Sequence, residues 1–122
     1  MYNMVHDLYN LDKLNEIAQG DENFVREMVV TFVENVTSSI DNIQSYKSLE
    51  KWKDIAETAH KLASNFAYLG AGNLQALAAN IEKSVLCDNN LDGIADKTDE
   101  MCSGAILLIG QLKEKFEIID EI

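Results

Sequence analysis

Proline is absent from the 122 residues, and with it the side chain that most reliably interrupts a helix. Cysteine is nearly absent. Cys87 and Cys102 are the only two, and their separation fits neither a metal-ligand nor a redox motif. Nothing in the chain argues for the oxidising compartment that a disulfide needs, so both are expected as buried thiols on helices. Positive charge is in short supply: 10 basic residues face 21 acidic ones, for a net charge of −11. Nucleic-acid binding is thereby disfavoured, because it needs cationic surface to displace counterions. An anionic membrane surface is disfavoured for the same reason. No apolar run is long enough to span a bilayer; the densest, Ala105 to Ile109, is closed by Gln111, Lys113 and Glu114. Residues Met1 to Asn10 carry no basic stretch followed by an apolar one, so no signal peptide is expected and the cytoplasm is the expected compartment. No segment alternates apolar and polar residues for long enough to make a strand.

What remains is helical patterning. Hydrophobic residues make up 47% of the chain, enough for one core and one domain over residues 1–122. A short helix is predicted near Asp12 to Gln19, stopped by Gly20. Asp21 then caps a long helix to about Tyr46, with Phe24, Met28, Val29, Phe32, Val36, Ile40 and Ile43 facing inward. Ser48 is placed to cap a third helix, Leu49 to Leu69, which Gly70-Ala71-Gly72 breaks. A fourth follows from Asn73 to Cys87, turning inward Leu74, Leu77, Ala78, Ile81 and Val85. Asp88-Asn89-Asn90 has turn chemistry. The last helix, about Asp92 to Ile119, aligns Ile94, Met101, Ala105, Leu108, Leu112, Phe116 and Ile119. Gly104 and Gly110 fall inside it, at about 1 kcal/mol each relative to alanine. Trp52, Tyr46 and Tyr68 are expected to pack at helix ends. Four long amphipathic helices joined by short turns bury their stripes against each other. The expected fold is therefore all-α: an antiparallel four-helix bundle with a short additional N-terminal helix. With the stripes used inside the bundle, a monomer is expected.

The third helix carries the chemistry. Ile55, Ala59, Leu62, Phe66 and Leu69 form one narrow apolar line, and His60 falls roughly 140° from its centre. His60 is therefore expected to face outward, with the small residues Ala56, Ala63, Ser64 and Ala67 on or beside the same sector. An exposed imidazole among small side chains is one that another macromolecule can approach. No catalytic triad surrounds it, and no phosphate loop follows Gly70-Ala71-Gly72. Glu57 precedes His60 by three residues, but the paired Glu-x-x-His of a di-metal bundle has no second copy, so no metal site is expected. A lone surface histidine is most often a solvated side chain, and His6 is taken as one. Yet neutral imidazole is also a good nucleophile toward phosphorus, and such a site needs no metal of its own.

The residues around His60 resemble those of histidine-containing phosphotransfer domains in multistep two-component signalling. That family's signature runs Ala-His-x-Leu-Lys-Gly, then small residues, then Leu-Gly-Ala. Here Ala59, His60, Leu62, Ser64, Leu69, Gly70 and Ala71 stand in register. The Tyr9, Leu11, Leu14 start, the Gly20-Asp21 turn and the long second helix are similar too. The resemblance implies that His60 accepts a phosphoryl group from a receiver-domain aspartate and passes it to another. The partners would be receiver domains of a hybrid sensor kinase and of a response regulator. The chain would bring no cofactor, with Mg²⁺ on the receiver. Two positions depart from the family: Ala63 replaces its lysine and Ser64 its glycine. Lys53 and Lys83 are candidates to replace the missing cation, while Lys61 projects elsewhere on the wheel. Glu82 stands near a position where the family often has glutamine, and is taken as a rim residue. The expected docking surface is Ala56, Ala63, Ser64 and Ala67, rimmed by Lys53, Lys61 and Glu82. The departure at Ala63 leaves open an alternative, a docking module that binds receivers through the same face without carrying phosphate.

Overall fold

The computed structural model describes residues 7–119; His6 lies outside them. The chain folds into five helices: α1 (Asp12–Ala18), α2 (Glu22–Ser48), α3 (Trp52–Tyr68), α4 (Gly72–Glu82) and α5 (Ile94–Phe116). The last turns of the fourth helix, Lys83–Cys87, widen into a π-helical segment. The described residues form no strand. Each of the four long helices packs on its sequence neighbour, and α2 also packs on α5, which closes the ring. This is the expected all-α four-helix bundle, with α1 laid against α2 through Leu14 and Ala18. No helix of the described residues is long and apolar enough to cross a membrane.

Local chemistry explains the boundaries. The Asp21 carboxylate accepts the backbone N–H of Asn23 and Phe24 at 3.0 and 3.2 Å, which satisfies two of the free donors that open α2. Helix α3 ends in a paired reverse bond: Ala71 N–H donates to the Phe66 carbonyl at 2.8 Å and Gly70 N–H to Ala67 at 3.1 Å. Gly70 takes φ +67°, and a Cβ there would collide with the backbone of Asn10, whose N–H donates to the Leu69 carbonyl at 2.8 Å. The N-terminal strap is thus pinned over the α3–α4 turn. Its other tie is Leu8 N–H donating to the Gln111 side chain at 2.7 Å.

The α2–α3 junction departs from expectation. Ser48 does not cap α3; it closes α2, and its hydroxyl donates to the Gln44 carbonyl. The helix is stopped by Glu50 at φ +54°, with Glu50 N–H donating to Lys47 and Lys51 N–H to Tyr46. This is the same capping geometry as at Gly70, formed without a glycine. Sequence patterning therefore has no marker at Glu50 itself: the predicted break falls early, and α3 starts three residues later than predicted. Gln19 and Glu117 end α1 and α5 in the same left-handed conformation.

The core is one cluster drawn from all five helices. On α3 the predicted line, Ile55 through Leu69, is fully covered. On α2 the expected Val29, Val36, Ile40 and Ile43 are buried, but over its first half the seam is rotated: Val25 and Val33 are buried, Met28 and Phe32 are half-buried and Phe24 is exposed. Both lines share helical spacing, and the face was decided by where α3 and α5 meet α2. Phe32 instead stacks on Tyr68 at 5.6 Å, and Lys13 sits over the Tyr68 ring at 4.9 Å, tying α1, α2 and α3 together. Leu77, Val85 and Phe116 are half-buried, Ile119 is exposed, and Cys87 is exposed rather than buried. Cys102 is buried as expected. Gly104 is explained by Leu74, whose side chain occupies the space a Cβ would need; Gly110 faces open space. The apolar residues are not all used inside the bundle: Ile106 and Leu107 on α5 are 53% and 63% exposed.

Candidate functional site

His60 stands on the outer crest of α3 with 70% of its side chain exposed. The orientation follows from its neighbours: Ala59 and Leu62 are fully buried, and the helix turns the imidazole away from them. Its Nδ1 lies 2.8 Å from Oε2 of Glu82 on α4. Antiparallel register makes this pair. His60 lies ten residues before Gly70 and Glu82 ten residues after Gly72, so the α3–α4 hairpin brings them level. The carboxylate's approach favours the tautomer with its proton on Nδ1, which leaves the lone pair on Nε2. Glu82, taken as a rim residue from sequence, is the histidine's direct partner.

The other side of His60 is an open groove between α2 and α3, about 500 Å³, lined by Asn35, Ser38, Ser39, Lys61, Ser64 and Asn65. The same register logic applies: Ser39 and Lys61 each lie eleven residues from Glu50 at the α2–α3 turn. Lys61, expected to project away, is in this groove beside His60. Lys83 is held by Asp88 at 3.3 Å. Lys53 lines a separate groove that also carries Glu50, Asp54 and Trp52.

Of the residues expected on the docking surface, Lys53, Lys61 and Ser64 are exposed, and Ala63, Ala67 and Glu82 are half-buried. Ala56 is not on it: its exposure is 0%. Helix α3 packs against α2, α4 and the π-helical turn at once, so its covered arc is wider than the single line seen on a helical wheel. The α2 residues Asn35, Ser38 and Ser39 were missed by sequence reasoning. Their signal was a charge-free window from Asn35 to Ile40, between Glu34 and Asp41, in a strongly acidic chain. Among the described residues, no group of three or more His, Cys, Asp or Glu side chains is placed to hold a metal ion.

A bundle of antiparallel helices presenting one histidine on its flank defines a class of helical carrier domains. The Hpt domain model matches residues 27–120, and the chain belongs to the Hpt domain family. These domains are phosphorelay carriers and interact with receiver domains. The chain is similar in fold to the HPT domain of an Hpt sensor hybrid histidine kinase from Shewanella, with a TM-score of 0.77 at 17% identity. That match covers 94% of this chain and 98% of the other. No relative is found among curated proteins.

Proposed function

We propose that His60 is the phosphoacceptor of this phosphorelay carrier. The observation that carries the reading is an imidazole with 70% of its side chain exposed whose Nδ1 lies 2.8 Å from Glu82 Oε2, an arrangement that favours a proton on Nδ1 and a lone pair on Nε2. In the forward step the Nε2 lone pair attacks the phosphorus of a receiver's aspartyl phosphate. The Nε2–P bond forms and the P–O bond breaks, its electron pair going to the receiver carboxylate. No proton leaves: Nδ1–H remains on a ring that now bears positive charge, and the Glu82 carboxylate stabilises it. In the return step a second receiver's aspartate attacks, and the P–N electron pair goes back to Nε2. The chain supplies presentation and orientation. Mg²⁺ and the acceptor carboxylates belong to the receiver, and the domain has no turnover of its own.

Small side chains support access. Ser64 lies one turn from His60 and is exposed, with Ala63 and Ala67 half-buried beside it, so a partner's backbone can come close. The docking surface in this reading is Ala63, Ser64 and Ala67, rimmed by Lys53, Lys61 and Glu82. Its partners are the receiver domains of a hybrid sensor kinase and of a response regulator, in the cytoplasm. The domain works as a monomer. A net charge of −11 sets two copies against each other, and the exposed Ile106 and Leu107 share their helix face with Asp99 and Glu114.

The test is phosphotransfer from a radiolabelled receiver domain to the wild type and to His60→Gln. Acid-labile, alkali-stable label on the wild type alone is expected. A folded wild type that binds receivers but takes no label would replace this reading with a phosphate-free docking module.

A further inference from the structure

A phosphoryl group on Nε2 needs somewhere to put its charge, and the family lysine that would meet it is Ala63 in this chain. The ring's orientation narrows the choice. Nδ1 lies against Glu82 on the α4 side, and His60 itself also lines the groove between α2 and α3.

Three features suit that groove to an anion. It is lined by no carboxylate, although acidic residues outnumber basic ones 21 to 10 in the chain. The groove beside Lys53, by contrast, carries Glu50 and Asp54. Second, its cation is uncommitted: Lys61 has no carboxylate partner among the described residues, whereas Lys47 is bound to Asp99 and Lys83 to Asp88. Third, its hydroxyls are uncommitted. All four threonines of the chain donate to the carbonyl four residues earlier on their own helix. Ser38, Ser39 and Ser64 make no hydrogen bond among the described residues, so their O–H groups are available to phosphate oxygens.

We propose that the α2–α3 groove is the phosphoryl-holding subsite of this domain, with the Lys61 ammonium and the Ser38, Ser39 and Ser64 hydroxyls meeting the phosphoryl oxygens in place of the absent lysine. This rests on His60 being the phosphoacceptor. It assigns a role to helix α2, which contributes no residue to the motif around the histidine. The hydroxyls and ammonium lower the barrier by stabilising charge on the phosphoryl oxygens during transfer, and they slow hydrolysis of the product by occupying those oxygens.

Lys61 is also on the docking rim, so the test uses a donor that bypasses docking. Phosphoramidate, a small-molecule phosphoryl donor, is incubated with wild type, Lys61→Ala, Lys61→Arg and the double variant Ser38→Ala/Ser39→Ala. Lys115→Ala serves as the control. The readouts are the rate of His60 phosphorylation and the lifetime of the isolated phosphoprotein, with helicity measured alongside. Lys61→Ala is expected to slow phosphorylation about tenfold and the double serine variant by about threefold to tenfold, each with a shortened lifetime. Lys61→Arg recovers most of the loss, and Lys115→Ala changes nothing. Wild-type label with unchanged rates and lifetimes in both groove variants overturns the subsite while leaving the phosphoacceptor in place. A folded wild type that takes no label from phosphoramidate or from any receiver removes His60 as phosphoacceptor, and the subsite with it.

Discussion

His60 and Glu82 form a pair that the chain builds from two helices, Nδ1 to Oε2 at 2.8 Å across the α3–α4 hairpin. A carboxylate beside a phosphate-bearing residue would repel it if the phosphate sat nearby. In the proposed role the carboxylate lies against the nitrogen that does not take the phosphoryl group, so it meets the positive ring rather than the anion. The glutamine often found near this position in the family is a neutral acceptor; glutamate adds charge to the same geometry.

Removing that acceptor frees the ring to rotate and to change tautomer. Glu82→Ala is expected to slow phosphorylation of His60 by about ten- to a hundredfold, because misorientation of a reacting group costs on that scale. Glu82→Gln keeps an acceptor oxygen and is expected to fall between the two. Initial rates with a phosphorylated receiver, compared at equal helicity, check this. Equal rates for all three proteins would mean that the Glu82 contact does not orient the ring.

The α3–α4 turn sets the register of that pair, and Gly70 sets the turn. Gly70→Ala is expected to destabilise the domain by about 1–3 kcal/mol, from the left-handed backbone and the collision with Asn10. Gly110→Ala, where a Cβ meets open space in mid-helix, is expected to stabilise it by up to about 1 kcal/mol. Glu50→Gly should also stabilise, since glutamate occupies a conformation at φ +54° that glycine adopts freely. Urea unfolding midpoints of the three variants must move in these opposite directions.

The two thiols are expected to separate chemically. Cys87 is exposed and Cys102 is buried, so one thiol reacts with a disulfide reagent in the native state and two after unfolding. Burial, with Asp99 adding and Lys47 opposing, pushes the Cys102 thiol up to about 11. Its ordinary value is 9.0, so the unfolded chain releases this proton at lower pH than the folded one. The stability contributed by the protonated thiol is therefore present below about 9 and is lost as pH climbs toward 11. Cys102→Ala removes that part of the alkaline decline, as unfolding curves across this range would reveal.

Phe66 is among the largest fully buried side chains and lies on α3 beneath the site. Phe66→Ala is expected to cost about 3–5 kcal/mol, a large share of the stability of a domain this size. Thermal melting gives the loss directly. A cost below about 1 kcal/mol would mean that the core collapses around the gap.

The outline of the fold was legible because its signals are local. Asp21 before an apolar-periodic run marks a helix start, Gly20 and Gly70 mark ends, and the Ile55, Ala59, Leu62, Phe66 line needs no knowledge of its partners. The break between α2 and α3 was read in the right region but two to three residues early, because Glu50 takes a backbone conformation that its identity does not advertise. The α2 seam was right at Val29, Val36, Ile40 and Ile43 and misplaced only over the first half of the helix, for a different reason. Phe24, Met28 and Phe32 and the seam of Val25, Val29 and Val33 have the same spacing, and periodicity cannot choose between two apolar lines one residue apart.

The candidate site divides in the same way. The sequence by itself determined that one histidine would stand outward on a helix among small residues, since helical geometry fixes which way a residue points from its own neighbours. Only the tertiary structure decided what that histidine meets. The lengths of two turns bring Glu82 level with it on one side and Ser39 alongside on the other. The packing of three elements on α3 takes Ala56 out of reach. These are relations between helices, set by turn geometry and by which apolar faces close on each other, and a single helical wheel contains none of them.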